Sequence, residues 1–157
     1  MSNIPLIQAF YAAFQDRDSA KMKACYSANA QFSDPAFGPL NGGDIGDMWI
    51  LVCQNISKNG RIKLLEIQEK GGVVSGIWEA HYLFGKKGRK VKNVITFQMT
   101  IRDGEIVEHH DHFPMYAWTK QAFGFNGWIM GWTPFFQKKI RERCLQLLHR
   151  YHPKKMS

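Results

Sequence analysis

The chain has no stretch apolar enough to cross a membrane. Its most apolar run, residues 123–136, is short and is broken by Asn126, Thr133 and Pro134, well below the ~20 residues that a spanning helix requires. No cysteine pairing pattern is present either. Cys25, Cys53 and Cys144 are odd in number, stand 28 and 91 residues apart and form no Cys-x-x-Cys, which argues against a disulfide framework and a structural zinc site and suits a reducing cytoplasm. The opening Met-Ser-Asn-Ile-Pro carries no basic segment ahead of its apolar residues, so no signal peptide is expected. Internal repeats and low-complexity tracts are missing as well. The expectation is a soluble, cytoplasmic protein.

Acidic residues are scarce at the C-terminal end. Residues 137–157 hold seven Lys or Arg (Lys138, Lys139, Arg141, Arg143, Arg150, Lys154, Lys155) against Glu142 alone, a net of +6, so the rest of the chain contributes only +2 of the total +8. An excess confined to one terminal helix, rather than spread over a broad face with exposed aromatics, argues against nucleic acid as a partner. What the 157 residues do supply is 45% hydrophobic and 13% aromatic side chains, enough for one domain with a sizeable core.

Ile7, Phe10, Tyr11 and Phe14 recur at helical spacing behind Asn3 and Pro5, which predicts a first helix capped by Asn3 and burying one stripe. Asp18 is expected to cap a short second helix running through Tyr26. A half-buried strand ending at Asp34-Pro35 follows, then a loop over 37–43 and a third helix over 44–56 presenting Ile45, Met48, Trp49, Val52 and Ile56. From there the period changes to two. Strands are expected near 61–70, 73–84, 90–102 and 105–114, separated by turn signals at Gly71-Gly72, Gly85 to Gly88 and Asp103-Gly104. Such short turns imply antiparallel neighbours. The fold class is therefore α+β, a curved sheet around helices with room for a pocket between them. A final helix over 137–151 would bury Ile140, Cys144, Leu147, Leu148 and Tyr151 and turn Lys139, Arg143, Gln146 and Arg150 outward.

Counting by two along the last strand places Val107, His109, Asp111 and Phe113 on one face and Ile106, Glu108, His110 and His112 on the other. A carboxylate beside an imidazole between apolar flanks can serve as a general base or as a structural hydrogen-bonded pair. Asp34 has a similar ambiguity. It is either a pocket acid or a turn residue accepting backbone N–H groups before Pro35. Asn93 shares its strand face with Val91, Ile95, Phe97 and Met99, so its amide either orients a ligand or satisfies a strand edge. His110 and His112 match no established metal-ligand spacing, and neither a metal nor a cofactor is expected.

The stretch from Asp18 to Pro35, then Asn41-Gly-Gly-Asp-Ile45, then Asp103-Gly-Glu-Ile-Val-Glu-His109-His-Asp111-His-Phe113 follow in that order. On these motifs, residues 3–120 resemble the nuclear transport factor 2-like superfamily, which includes ketosteroid isomerases, limonene epoxide hydrolases and SnoaL-like polyketide cyclases. The resemblance implies a cone-shaped barrel of curved antiparallel sheet wrapped around N-terminal helices over 1–120. Residues 121–157 then add an aromatic segment and a basic amphipathic helix to the same domain. It also implies proton transfer by Asp34, the position of the isomerase base, and by Asp111, the position of the cyclase base, with His109 orienting Asp111. Tyr11, Phe14, Trp49, Asn93, Phe97, Phe113 and Trp118 would shape the cavity.

The resemblance is incomplete where isomerases hold an oxyanion. The gapless count puts Phe10 at the tyrosine donor position and Ile95 or Thr96 near the aspartic acid one, and losing one such donor costs ~2.7–4 kcal/mol. The epoxide-hydrolase branch needs an arginine at an inward strand position, and none falls there. The expected function is binding of a small hydrophobic molecule, with isomerase-, cyclase- or lyase-type chemistry by Asp proton transfer in an apolar pocket; the alternative is a non-catalytic binding or protein-assembly module. A homodimer is expected through the outer face of the sheet, where Trp78 or His81 would otherwise meet water. For the tail, closure over the cavity by residues 125–136 is preferred to a berth on an anionic membrane.

Overall fold

The computed structural model describes residues 1–56 and 58–156, with side chains through Tyr151. Lys154 and Lys155 of the basic tail therefore lie outside the described side chains. Two helices, α1 (Ile4–Gln15) and α2 (Ser19–Ala24), precede β1 (Tyr26–Asp34), β2 (Gly38–Asn41) and α3 (Gly43–Asn55). The strands β3 (Arg61–Lys70), β4 (Val73–Phe84), β5 (Arg89–Arg102) and β6 (Glu105–His112) come next, followed by α4 (Met115–Phe123), α5 (Phe125–Met130) and α6 (Pro134–Met156).

All six strands form one sheet in the order β2-β1-β6-β5-β4-β3. It is curved but does not close, and the helices fill its concave side in the cone arrangement expected. The meander from β3 to β6 is antiparallel, as its short turns require. β1 departs from that rule. It pairs parallel with β6, because the chain reaches it by a long connection rather than a hairpin. The stretch expected as a loop contains β2, a short edge strand antiparallel to the end of β1.

α1 buries Ile7, Phe10, Tyr11, Ala13 and Phe14 against the sheet. Asn3 does not cap it through its side chain; the amide instead donates to Glu69 on β3 at 2.7 Å. Asp18 does cap α2, accepting from the Lys21 backbone N–H at 3.1 Å, but the helix stops at Ala24 and Tyr26 opens β1. The inner face of β5 is Val91, Asn93, Ile95, Phe97, Met99 and Ile101, all buried, with Lys92, Val94 and Gln98 exposed.

Two details of the sheet differ from expectation. On β6 the register passes from Thr100↔Glu108 to Ile101↔Ile106, so Val107 is an extra residue and the strand changes phase there. Ile106 is consequently buried, alongside His109, Asp111 and Phe113, while Val107 is half-buried. On β4 Trp78 faces inward with Val74 and Ala80. It cannot supply the apolar outer surface on which dimerisation was expected to rest. His81 is on the outer side, paired with Glu79 at 3.2 Å.

Candidate functional site

The register of the parallel pair builds the site. Phe32 lies beside His109 and Ser33 beside His110, so one residue further along each strand come Asp34 and Asp111. Both are two residues beyond a buried neighbour, Phe32 and His109, and therefore point to the same inner face. Strands this close, ~4.8 Å apart, bring the two acids side by side. Both line one cavity of about 720 Å³.

A continuous hydrogen-bonded chain runs behind Asp111. The Trp49 Nε1–H donates to Tyr26 Oη at 2.9 Å, Tyr26 Oη lies 2.6 Å from His109 Nδ1, and His109 Nε2 lies 2.7 Å from Asp111 Oδ1. Trp can only donate and an ionised carboxylate can only accept. The chain is fully satisfied with one proton in each of its three links when Tyr26 donates to Nδ1 and the Nε2–H donates to Asp111. Any other placement leaves a buried hydrogen without an acceptor, which is costly.

Aromatic packing fixes the imidazole. His109 stacks on Tyr26 and Trp49, with centroids 6.0 and 6.1 Å apart, and meets the edges of Phe10 and Phe32 at 5.9 and 5.0 Å. A ring held on four sides keeps its second nitrogen aimed at Asp111.

Asp34 has a different environment. Its Oδ1 accepts the Phe37 backbone N–H at 2.6 Å, as a turn aspartate does, yet it also faces the cavity. Its pKa is raised from the ordinary 3.8 to about 7: removal from water is the largest cause, the Phe37 N–H opposes it, and the charge of Asp111 adds to it. Both readings of Asp34 from the sequence thus describe one residue.

Of the other residues anticipated for the cavity, Phe14, Trp49, Asn93, Phe113 and Trp118 line it. Tyr11 and Phe97 lie behind the wall, their rings 5.2 Å apart. The Tyr11 hydroxyl is buried without a hydrogen-bond partner, and burial, then the charge of Asp111, holds its pKa well above the ordinary value. At the positions counted for oxyanion donors, Phe10 packs in the core, Ile95 is cavity wall, and Thr96 bonds the His112 carbonyl on the outer side.

Reasoning from sequence missed Tyr26, because it placed that residue at the end of a helix. The last helix turns Lys139, Arg143, Gln146 and Arg150 to solvent as expected, but Leu147, expected in the core, is exposed, and the sequence did not show that two of the outward cations also reach the cavity. Lys139 and Arg143 line the cavity with Phe136, Ile140, Cys144 and Leu147; both cations are exposed, so they stand at its mouth. An arginine does reach the cavity, from α6 rather than from a strand. Burial and the nearby Asp34 charge push the Cys144 thiol up to about 11, which keeps it a neutral part of the wall. His110 and His112 are exposed, with His110 bonded to Ser33 Oγ at 2.7 Å. Among the described residues, no group of His, Cys, Asp and Glu could hold a metal ion.

The chain is thus an open-sheet cone with an apolar cavity and two acids on adjacent strands. Residues 7–109 match the SnoaL-like domain family, and the chain belongs to that family. Among solved structures it is similar to TerC co-crystallised with polyporic acid, at 22% identity and a TM-score of 0.66, covering 78% of this chain and 98% of that one. It is also similar to an LEH-like epoxide hydrolase of M. tuberculosis (19% identity, TM-score 0.65, 81% and 92% covered). A third is a protein with a ketosteroid isomerase-like fold from Catenulispora acidiphila, in complex with trimethylamine (20%, 0.62, 82% and 97%). At these identities the likeness is one of fold. No curated protein matches by sequence.

Proposed function

We propose that the protein is an acid–base catalyst acting on a small hydrophobic molecule held in this cavity, with an enolisable carbonyl as the reacting group. Asp111 is the base. Its carboxylate takes the proton from the carbon next to the carbonyl, and the electron pair left behind moves onto the carbonyl oxygen as an enolate. Asp34, with a pKa near 7, carries a proton for much of the time at neutral pH and gives it to the substrate at a new position, and the proton now on Asp111 then passes, directly or through solvent, to Asp34, which restores both groups. The result is an isomerisation or, where the enolate attacks a second carbonyl, a ring closure. His109 and Tyr26 are positioning residues that hold Asp111 through the chain from Trp49.

The observation that carries this reading is the pairing of two neighbouring carboxyls in unlike environments. One is tied to an imidazole and the other desolvated to about 7, and such divergence separates acid from base. A hydrophobic wall and a SnoaL-like fold suit the substrate class. The second reading, a binding module without catalysis, is favoured by the absence of a cavity-facing donor at either counted oxyanion position, where Phe10 and Ile95 are apolar and Thr96 turns outward.

The experiment is proton exchange in D2O. A panel of enolisable aromatic and alicyclic ketones is incubated with the protein and the α-proton signal followed by NMR. Exchange is expected for at least one compound, reduced ~10²-fold or more in Asp111→Asn and in Asp34→Asn. Exchange with none of them, or exchange indifferent to both substitutions, would leave the binding module standing.

A further inference from the structure

α5 turns its large side chains to solvent, and its glycines explain why. Gly127 and Gly131 are buried against α4, and a Cβ at either would collide with Thr119, with its carbonyl oxygen and its hydroxyl respectively. The face of α5 toward the protein is therefore bare backbone. Phe125, Trp128 and Ile129 are 72%, 60% and 46% exposed, and Trp132 and Phe135 just beyond are exposed as well. Nothing about the core requires rings at these positions, and a contiguous apolar surface of this kind marks an interaction site.

Its surroundings are basic. Between Met115 and Arg143 stand Lys120, Lys138, Lys139, Arg141 and Arg143 against Glu142 alone. Two of the cations lie on aromatic faces, Lys120 over Tyr116 at 4.7 Å and Lys139 over Phe135 at 4.6 Å. We propose that this surface docks on an anionic lipid bilayer, with the rings at headgroup depth and the cations on lipid phosphates and carboxylates. A second copy of the chain is the poorer occupant, since a two-fold interface would set the same basic patch against itself. No helix among the described residues is long and apolar enough to cross, so the contact is peripheral.

The docked surface adjoins the cavity mouth. Phe123 and Phe136 line the cavity, with rings 5.5 Å apart, and the nearby Phe125 and Phe135 belong to the exposed patch. Docking sets the mouth against the bilayer, from which an apolar ligand enters without crossing water. The docking does not depend on the acid–base reading.

Flotation with phosphatidylcholine vesicles, with and without phosphatidylserine, tests it. The protein is expected to float with the anionic vesicles, less so in high salt, and its Trp emission to shift to the blue as Trp128 and Trp132 leave water. Trp128→Ser/Trp132→Ser/Phe135→Ser should abolish flotation, and Lys138→Glu/Arg141→Glu should lower the partition coefficient about tenfold or more. All five positions are exposed, and circular dichroism checks that the fold is kept. No flotation and no blue shift of the unmodified protein would overturn the proposal, as would flotation indifferent to both variants. So would a dimer in sedimentation that the triple variant abolishes while vesicles are ignored, which would give the patch to a second copy.

Discussion

Asp34→Asn should make the protein more stable, and only above a definite pH. The native pKa of about 7 against an ordinary 3.8 means that the folded state holds the proton more tightly than the unfolded chain. Below about pH 4 both states are protonated and the substitution changes little. Between about 4 and 7 the unfolded chain has lost the proton while the folded protein keeps it, so wild-type stability falls by ~1.4 kcal/mol per pH unit. Above about 7 both are ionised and the deficit is constant, reaching about 4 kcal/mol for the whole shift. The asparagine carries no charge to desolvate and keeps an oxygen for the Phe37 N–H. Urea denaturation of both proteins from pH 4 to 9 reads the difference, with solvent relaxation reducing the plateau to about 2–4 kcal/mol. A stability difference that does not change with pH, or that changes in the opposite sense, would refute the desolvated carboxyl.

Tyr26→Phe strands Trp49 Nε1 and His109 Nδ1 together and should cost about 2–4 kcal/mol in urea denaturation, the range for two buried groups losing one partner. If His109 positions Asp111 through that chain, the same variant lowers the exchange rate while ligand affinity, measured by titration with an inert aromatic ketone, changes little. Gly131→Ala drives a methyl into Thr119 and should lower the melting temperature by several degrees, the expected effect of about 1–3 kcal/mol of overpacking in a chain this size. His112→Ala, exposed on the outer face, should shift stability by no more than ~0.5 kcal/mol.

The strands β3 to β6 were legible to within a residue or two because glycine turn signals separate them and β5 alternates cleanly. The same alternation put Asp111 beside His109. What could not be counted was phase across an irregularity. Tyr26 stands where the helical period gives way to the strand period, and the early residues of β1 do not alternate in burial until Ala30, so nothing local says which way its ring points. The bulge at Val107 exchanges it with Ile106 by one extra residue, a feature set by pairing with β5 rather than by local sequence. That Asp34 neighbours Asp111 follows from a parallel pairing between strands far apart in the chain, which no local pattern encodes. That the outward cations Lys139 and Arg143 also border the cavity was hidden for another reason. A helix lying along a cavity rim has three kinds of side, toward the core, the cavity and solvent, and a two-sided apolar and polar division merges the last two.

Whether Asp34 and Asp111 stand side by side on the wall of one apolar cavity is decided most directly by 13C NMR titration of the aspartate carboxyls in the wild type and in Asp111→Asn. The account predicts an Asp34 midpoint near 7 in the wild type. Removing the Asp111 charge should lower it, though not to the ordinary value, because desolvation is the larger cause. An Asp34 midpoint near 3.8 that Asp111→Asn leaves unmoved would contradict it.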